Sequence, residues 1–127
     1  MSEEARRLLG KAERALHAAE VLLAAGDAEF AAGRAYYAML YTAQALLREK
    51  GVRYRKHGGI HAAYGEHFAK TGVLDPRFHR WLLDAFDKRL LGDYGFEAEV
   101  RRDEVMAMLD QARQFLHSAR RHLGMTA

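Results

Sequence analysis

Cysteine is absent from the 127-residue sequence, which excludes a disulfide framework, a thiolate metal site and a cysteine nucleophile. A reducing cytoplasm is the compartment this suits. Proline occurs once, at Pro76, and turn signals are too sparse for a β-fold. No apolar run approaches the ~18 residues of a membrane span. The start, Met1-Ser2-Glu3-Glu4-Ala5-Arg6-Arg7, lacks the apolar centre of a signal peptide, so neither export nor membrane insertion is expected. Charge of one sign is also scarce: 20 Lys plus Arg stand against 17 Asp plus Glu, a net +3. That excess is too small for a dedicated nucleic-acid binder, and local clustering matters more than the total.

What is present favours helix. Half of the residues are hydrophobic, and alanine, leucine, arginine and glutamate dominate. The length fits one domain over 1–127, an all-α up-and-down bundle of four to five helices. Ser2 is a suitable N-cap with Glu3 and Glu4 in the first turn, and Leu8, Leu9, Ala12, Ala15, Leu16, Ala19, Leu22 and Leu23 recur at helical spacing up to a stop at Gly26. Asp27 caps a second helix to Gly51, where Phe30, Tyr37, Leu40, Tyr41 and Leu47 are apolar or aromatic and several alanines allow close packing. A third helix is predicted from about Gly58 to Lys70, ended by Thr71-Gly72. Asp75-Pro76 then opens a fourth, which yields at Gly92 to Gly95. The last runs from about Arg102 to Leu123 and presents Val105, Met106, Leu109, Ala112, Leu116 and Ala119.

Four constellations could carry chemistry. Arg48, Lys50, Arg53, Arg55, Lys56 and His57 crowd the approach to Gly58-Gly59 at a helix start, which reads either as a solvated linker or as an anion site. His57 and His61 are four apart, with Glu66 and His67 following, but the spacing is not that of a metalloprotease helix, and no metal and no cofactor is expected. Arg34, Tyr37 and Tyr41 share a face of the second helix while Tyr36 points elsewhere, and Arg34 should meet a carboxylate or line a cleft. Arg89 and Asp93 fall on one face of the fourth helix, and Tyr94 follows beside Gly95.

The order Gly33-Arg34-Ala35-Tyr36-Tyr37-Ala38-Met39, Lys56-His57-Gly58-Gly59, His67-Phe68-Ala69-Lys70-Thr71-Gly72, then Arg89 with Asp93-Tyr94 resembles the HEPN family, the higher eukaryotes and prokaryotes nucleotide-binding domains, and within it the small stand-alone prokaryotic branch. The resemblance implies a helical bundle, usually homodimeric, often encoded beside a minimal nucleotidyltransferase as the toxin of a toxin–antitoxin pair. Many members are metal-independent ribonucleases in which an arginine, followed after four to six residues by a histidine, lies at the dimer cleft. Arg89 matches that arginine, while Asp93 and Tyr94 stand where the histidine would be. His57, from the loop before the third helix, is then the available imidazole, and Tyr94 is the tyrosine placed for adenylate modification by the partner. The expected nucleotide- or phosphate-binding set is Arg34, Arg55, Lys56, His57 and Arg89. Three functions follow: a nucleotide- or RNA-associated partner of a nucleotidyltransferase, a ribonuclease toxin, or a non-catalytic helical adaptor. Phe78, Trp81, Phe86 and Leu90 supply more large apolar surface than one bundle face needs, which predicts a homodimer around the fourth helix and its neighbours.

Overall fold

The computed structural model describes residues 1–95 and 99–125. Among them are five α-helices and no strand: α1 (Glu3–Ala24), α2 (Ala28–Glu49), α3 (His57–Tyr64), α4 (Arg77–Tyr94) and α5 (Arg102–His122). Each predicted helix is found, and the all-α bundle stands. Local chemistry explains the ends. The Ser2 hydroxyl accepts from the Ala5 amide, and Asp27 Oδ1 accepts from the Phe30 amide. Gly26 and Gly51 end their helices at φ of +88° and +75°, where a side chain would strain the backbone.

The helix α2 is the hub, packing on α1, α3, α4 and α5. Both α1 and α2, which pack on each other, bury small residues: Ala5, Ala12, Ala15 and Ala19 in the first, Ala31, Ala35, Ala38 and Ala45 in the second. Alanine at these positions lets the two backbones approach closely and orders little side-chain entropy. Leu9, Leu46, Val105, Phe115 and Leu116 extend the same core toward α5.

Three sequence expectations need correction. The third helix does not continue regularly to Lys70, because Gly65–Ala69 form a π-helical turn in which the Lys70 amide donates to the Gly65 carbonyl. The α4 helix runs through Gly92 to Tyr94 and stops at Gly95, inside the Gly92–Gly95 interval expected. Gly92 permits contact with α2, since a Cβ there would lie 2.3 Å from the Glu29 carbonyl oxygen. Phe30 and Met106, counted with the apolar stripes, are 53% and 52% exposed. Finally, the surplus apolar surface expected on α4 is smaller, because Phe78 is buried against Phe115 and Phe86 packs on Tyr36, leaving Leu83 and Leu90 as the exposed large residues there apart from Tyr94.

Candidate functional site

The close approach of α2 and α4 at Gly92 brings the middle of one helix beneath the end of the other. A Cβ built on Gly33 would meet Arg89 Cγ and Asp93 Oδ1, each at 3.7 Å, so these two side chains lie directly over the α2 backbone. Arg89 Nε donates to Asp93 Oδ2 at 3.1 Å, and both side chains are mostly covered, 16% and 27% exposed. This bond uses only Nε. The terminal Nη1 and Nη2 of Arg89 have no hydrogen-bond partner among the described residues.

Tyr37 collects positive charge over its ring. The Arg34 guanidinium carbon lies 4.7 Å from the ring centroid and that of Arg89 5.3 Å away. A π-face stabilises a cation modestly, and of the two guanidinium groups only that of Arg89 has a carboxylate partner among the described residues, Asp93. Arg34 makes no ion pair among the described residues. The first of its two expected fates, a carboxylate partner, is not met among the described residues; Arg34 rests on the Tyr37 ring instead.

Opposite Arg89 stands His57, the first residue of α3. Its ring meets Tyr37 edge-on at 5.7 Å and Phe86 at 6.0 Å. Burial and then the positive charge of Arg89 hold the imidazole below the usual histidine range, so it is neutral at pH 7. Its Nδ1 lies 3.0 Å from Tyr36 Oη, and the same hydroxyl lies 2.8 Å from His61 Nε2. Burial also brings His61 down to about 4, assisted by the neighbouring His57 and His79 and opposed by Asp87. The Tyr36 phenol is pushed well above its ordinary range, chiefly by burial. Behind this group His79 Nε2 donates to the His61 carbonyl at 3.1 Å, which requires a proton on that nitrogen.

The structure thus brings Arg34, His57, Arg89 and Asp93 together. It does not bring in the rest of the expected set. Arg55 and Lys56 are exposed in the loop before α3 and make no ion pair or side-chain hydrogen bond among the described residues. Arg48 and Arg53 are spent on Glu4, which they hold below the usual carboxylate range, and Lys50 lies 5.4 Å over the Phe68 ring. The cation-rich run is therefore largely a tie between the α2 end and the start of α1. Tyr94 sits at the last turn of α4, 71% exposed, outside the aromatic group.

Sequence reasoning missed Tyr36, His61 and Phe86. Tyr36 does leave the Arg34 face, but it points at the third helix rather than into plain packing. The four-residue interval between His57 and His61 was the available signal, because it places two imidazoles on one helical face. What they converge on is a hydroxyl.

Comparison with known proteins identifies the family. The model of the HEPN domain matches residues 5–122. The chain is 32% identical over 85 residues to the Methanocaldococcus jannaschii protein called "Putative toxin MJ0142", covering 67% of this chain and 58% of that protein. It is 33% identical over 78 residues to a UPF0332 protein of Thermotoga maritima, covering 61% and 59%, and 32% identical over 82 residues to a UPF0332 protein of Gloeobacter violaceus, covering 64% and 65%. The matches span less than two-thirds of these relatives' lengths. With the family model covering nearly the whole chain, the protein belongs to the HEPN domain family.

Proposed function

We propose that this protein is a nucleotide- or RNA-associated member of the family that works as a homodimer with a minimal nucleotidyltransferase in a toxin–antitoxin-like pair. The observation that carries the reading is the free end of Arg89. A guanidinium oriented through Nε by a carboxylate, with no partner for its two Nη groups among the described residues, suits bidentate capture of a phosphate. Arg34 adds a second cation over the same tyrosine, and Tyr37 offers an aromatic surface beside it. The name of the Methanocaldococcus jannaschii relative points in the same direction. Exposure of Tyr94 suits a tyrosine that a partner enzyme modifies with adenylate.

A second reading, a metal-independent ribonuclease, is favoured by one specific feature: the imidazole missing after Arg89 in sequence has a spatial substitute in His57. Neutral at pH 7 and next to Arg89, it suits a general base taking the proton of a ribose 2′-hydroxyl, with Arg89 balancing the charge that develops on the phosphate.

Incubation with labelled nucleotides and with RNA, in the presence and absence of the candidate nucleotidyltransferase, tests both readings. Retention of a nucleotide or RNA that depends on Arg89 supports the first. Cleavage of RNA in chelator that is lost in His57→Gln supports the second. Absence of binding, cleavage and Tyr94 modification alike would leave the helical adaptor.

A further inference from the structure

The buried hydroxyl of Tyr36 lies between two imidazoles and has one proton to give. Its residue is 0% exposed, and its two neighbours are His57 Nδ1 at 3.0 Å and His61 Nε2 at 2.8 Å. A phenol can donate to one ring nitrogen and accept from the other. If both nitrogens carried protons, the hydroxyl hydrogen would be left unpaired in the core, which is costly. At least one of the two histidines must therefore present a bare nitrogen, and the pair cannot hold two imidazolium charges.

Two proton orders satisfy the contacts. In one, Tyr36 donates to His61 and receives from His57. In the other, both bonds run the opposite way. The first is favoured on two grounds. The shorter contact is the one to His61, as hydroxyl donors give shorter bonds than N–H donors. His61 is also the more buried ring, 8% exposed, where a positive charge is the harder to hold, whereas His57 is partly exposed.

Resting on the phosphate-site reading above, we propose that Tyr36 and His61 are positioning residues that fix His57 with its proton on Nδ1, leaving Nε2 as the bare nitrogen available to a bound nucleotide or RNA. When His57 takes up a second proton, the bond to Tyr36 is kept and becomes charge-assisted, while His61 stays neutral as the terminal acceptor. In the opposite order Nε2 would carry the proton, and His57 would be useless as a base there. The groups facing this chain are few. Tyr36 and Tyr37 face it from α2, Arg89 and Asp87 from α4, and His79 from α4 through the His61 carbonyl. Arg89 and His79 act against added positive charge, and Asp87 acts for it. None of the other four replaces the Tyr36 hydroxyl as partner of His57 Nδ1 among the described residues.

The test is nitrogen and carbon NMR of the histidine rings in the full chain, followed through a pH titration in wild type, Tyr36→Phe, His61→Leu and His61→Gln. Wild type should show neutral His57 as the Nδ1–H form. Tyr36→Phe should abolish that preference and lower the His57 pKa by about one unit, the size of a lost hydrogen bond to a charged group. His61→Leu, with the acceptor removed, should turn the Tyr36 proton toward His57 and convert it to the Nε2–H form. His61→Gln supplies a carbonyl oxygen near the same place and should restore the wild-type form. A wild-type His57 in the Nε2–H form, or a tautomer unmoved by Tyr36→Phe, overturns the proposal. Binding of AMP and of single-stranded RNA to the same variants separates this from the site reading. If the ring data hold and no ligand binds, the proton order is right and the phosphate site is wrong. Circular dichroism confirms that each variant is folded.

Discussion

Arg89 and Asp93 form an ion pair one helical turn apart at the end of α4, and among the described residues the outer two nitrogens of the guanidinium have no other partner. Asp93 thus orients the arginine while adding a negative charge close to where a phosphate would bind. Asp93→Asn keeps an oxygen for Nε and removes that charge. Affinity for a nucleotide should rise several-fold, with a stability loss of under ~1 kcal/mol, as expected for an i,i+4 pair near the surface. Calorimetric titration and thermal denaturation check the two parts. A tenfold loss of affinity would mean that the charge of Asp93, and not its geometry, is what the site needs.

Stability should fall on the acid side because of His61. Its pKa is about 4 in the folded chain, against the ordinary value of 6.5. The unfolded chain then binds more protons between those values, so stability rises with pH across the window from about 4 to 6.5 and is lost as pH falls through it. The full effect is at most on the order of 3 kcal/mol. Urea unfolding at pH 7 and pH 4.5 measures it, and His61→Gln should flatten the difference.

Gly92→Ala should destabilise the protein even though alanine is the better helix former. The propensity gain is about 1 kcal/mol, whereas the new Cβ meets backbone, the Glu29 carbonyl, which cannot rotate away. A net loss of ~1–3 kcal/mol is expected. Chemical denaturation reads it directly. The same substitution should disturb nucleotide binding, because it pushes α4 off α2 where Arg89 sits.

Tyr94→Phe should leave folding unchanged, since the side chain is 71% exposed. If the partner nucleotidyltransferase adenylates this protein on Tyr94, mass spectrometry should find one adenylate on the wild type and none on the variant.

The elements were legible where a side chain or glycine acts on its own backbone. Ser2, Asp27, Gly26, Gly51 and Gly72 set helix ends through local bonds and positive φ, and the sequence shows them directly. Arg89 with Asp93 and Arg34 with Tyr37 were legible for the same reason, being neighbours along one helix. What escaped depends on which helices touch. Gly92 and Gly95 together marked the end of α4, which comes at Gly95, but nothing local shows that Gly92 also answers to Glu29 on another helix. Tyr36 reads only as pointing away from the Arg34 face, because nothing local shows that two histidines, more than 20 residues further on, aim at its hydroxyl. The π-helical turn at Gly65–Ala69 has no sequence signature of its own. It coincides with the approach of His79, whose ring lies where a Cβ on Gly65 would be.

Comparing Arg89→Ala with wild type tests the central claim most directly, by measuring affinity for AMP and single-stranded RNA alongside the melting temperature. The side chain packs on the rings of Tyr36 and Tyr37 and pairs with a partly exposed Asp93, so its loss should cost only about 1 kcal/mol of stability. If Arg89 captures a phosphate, affinity should fall at least ~30-fold, the loss of two charge-assisted hydrogen bonds. Unchanged binding with a large drop in melting temperature would contradict the account and leave Arg89 as a structural tie between α4 and α2.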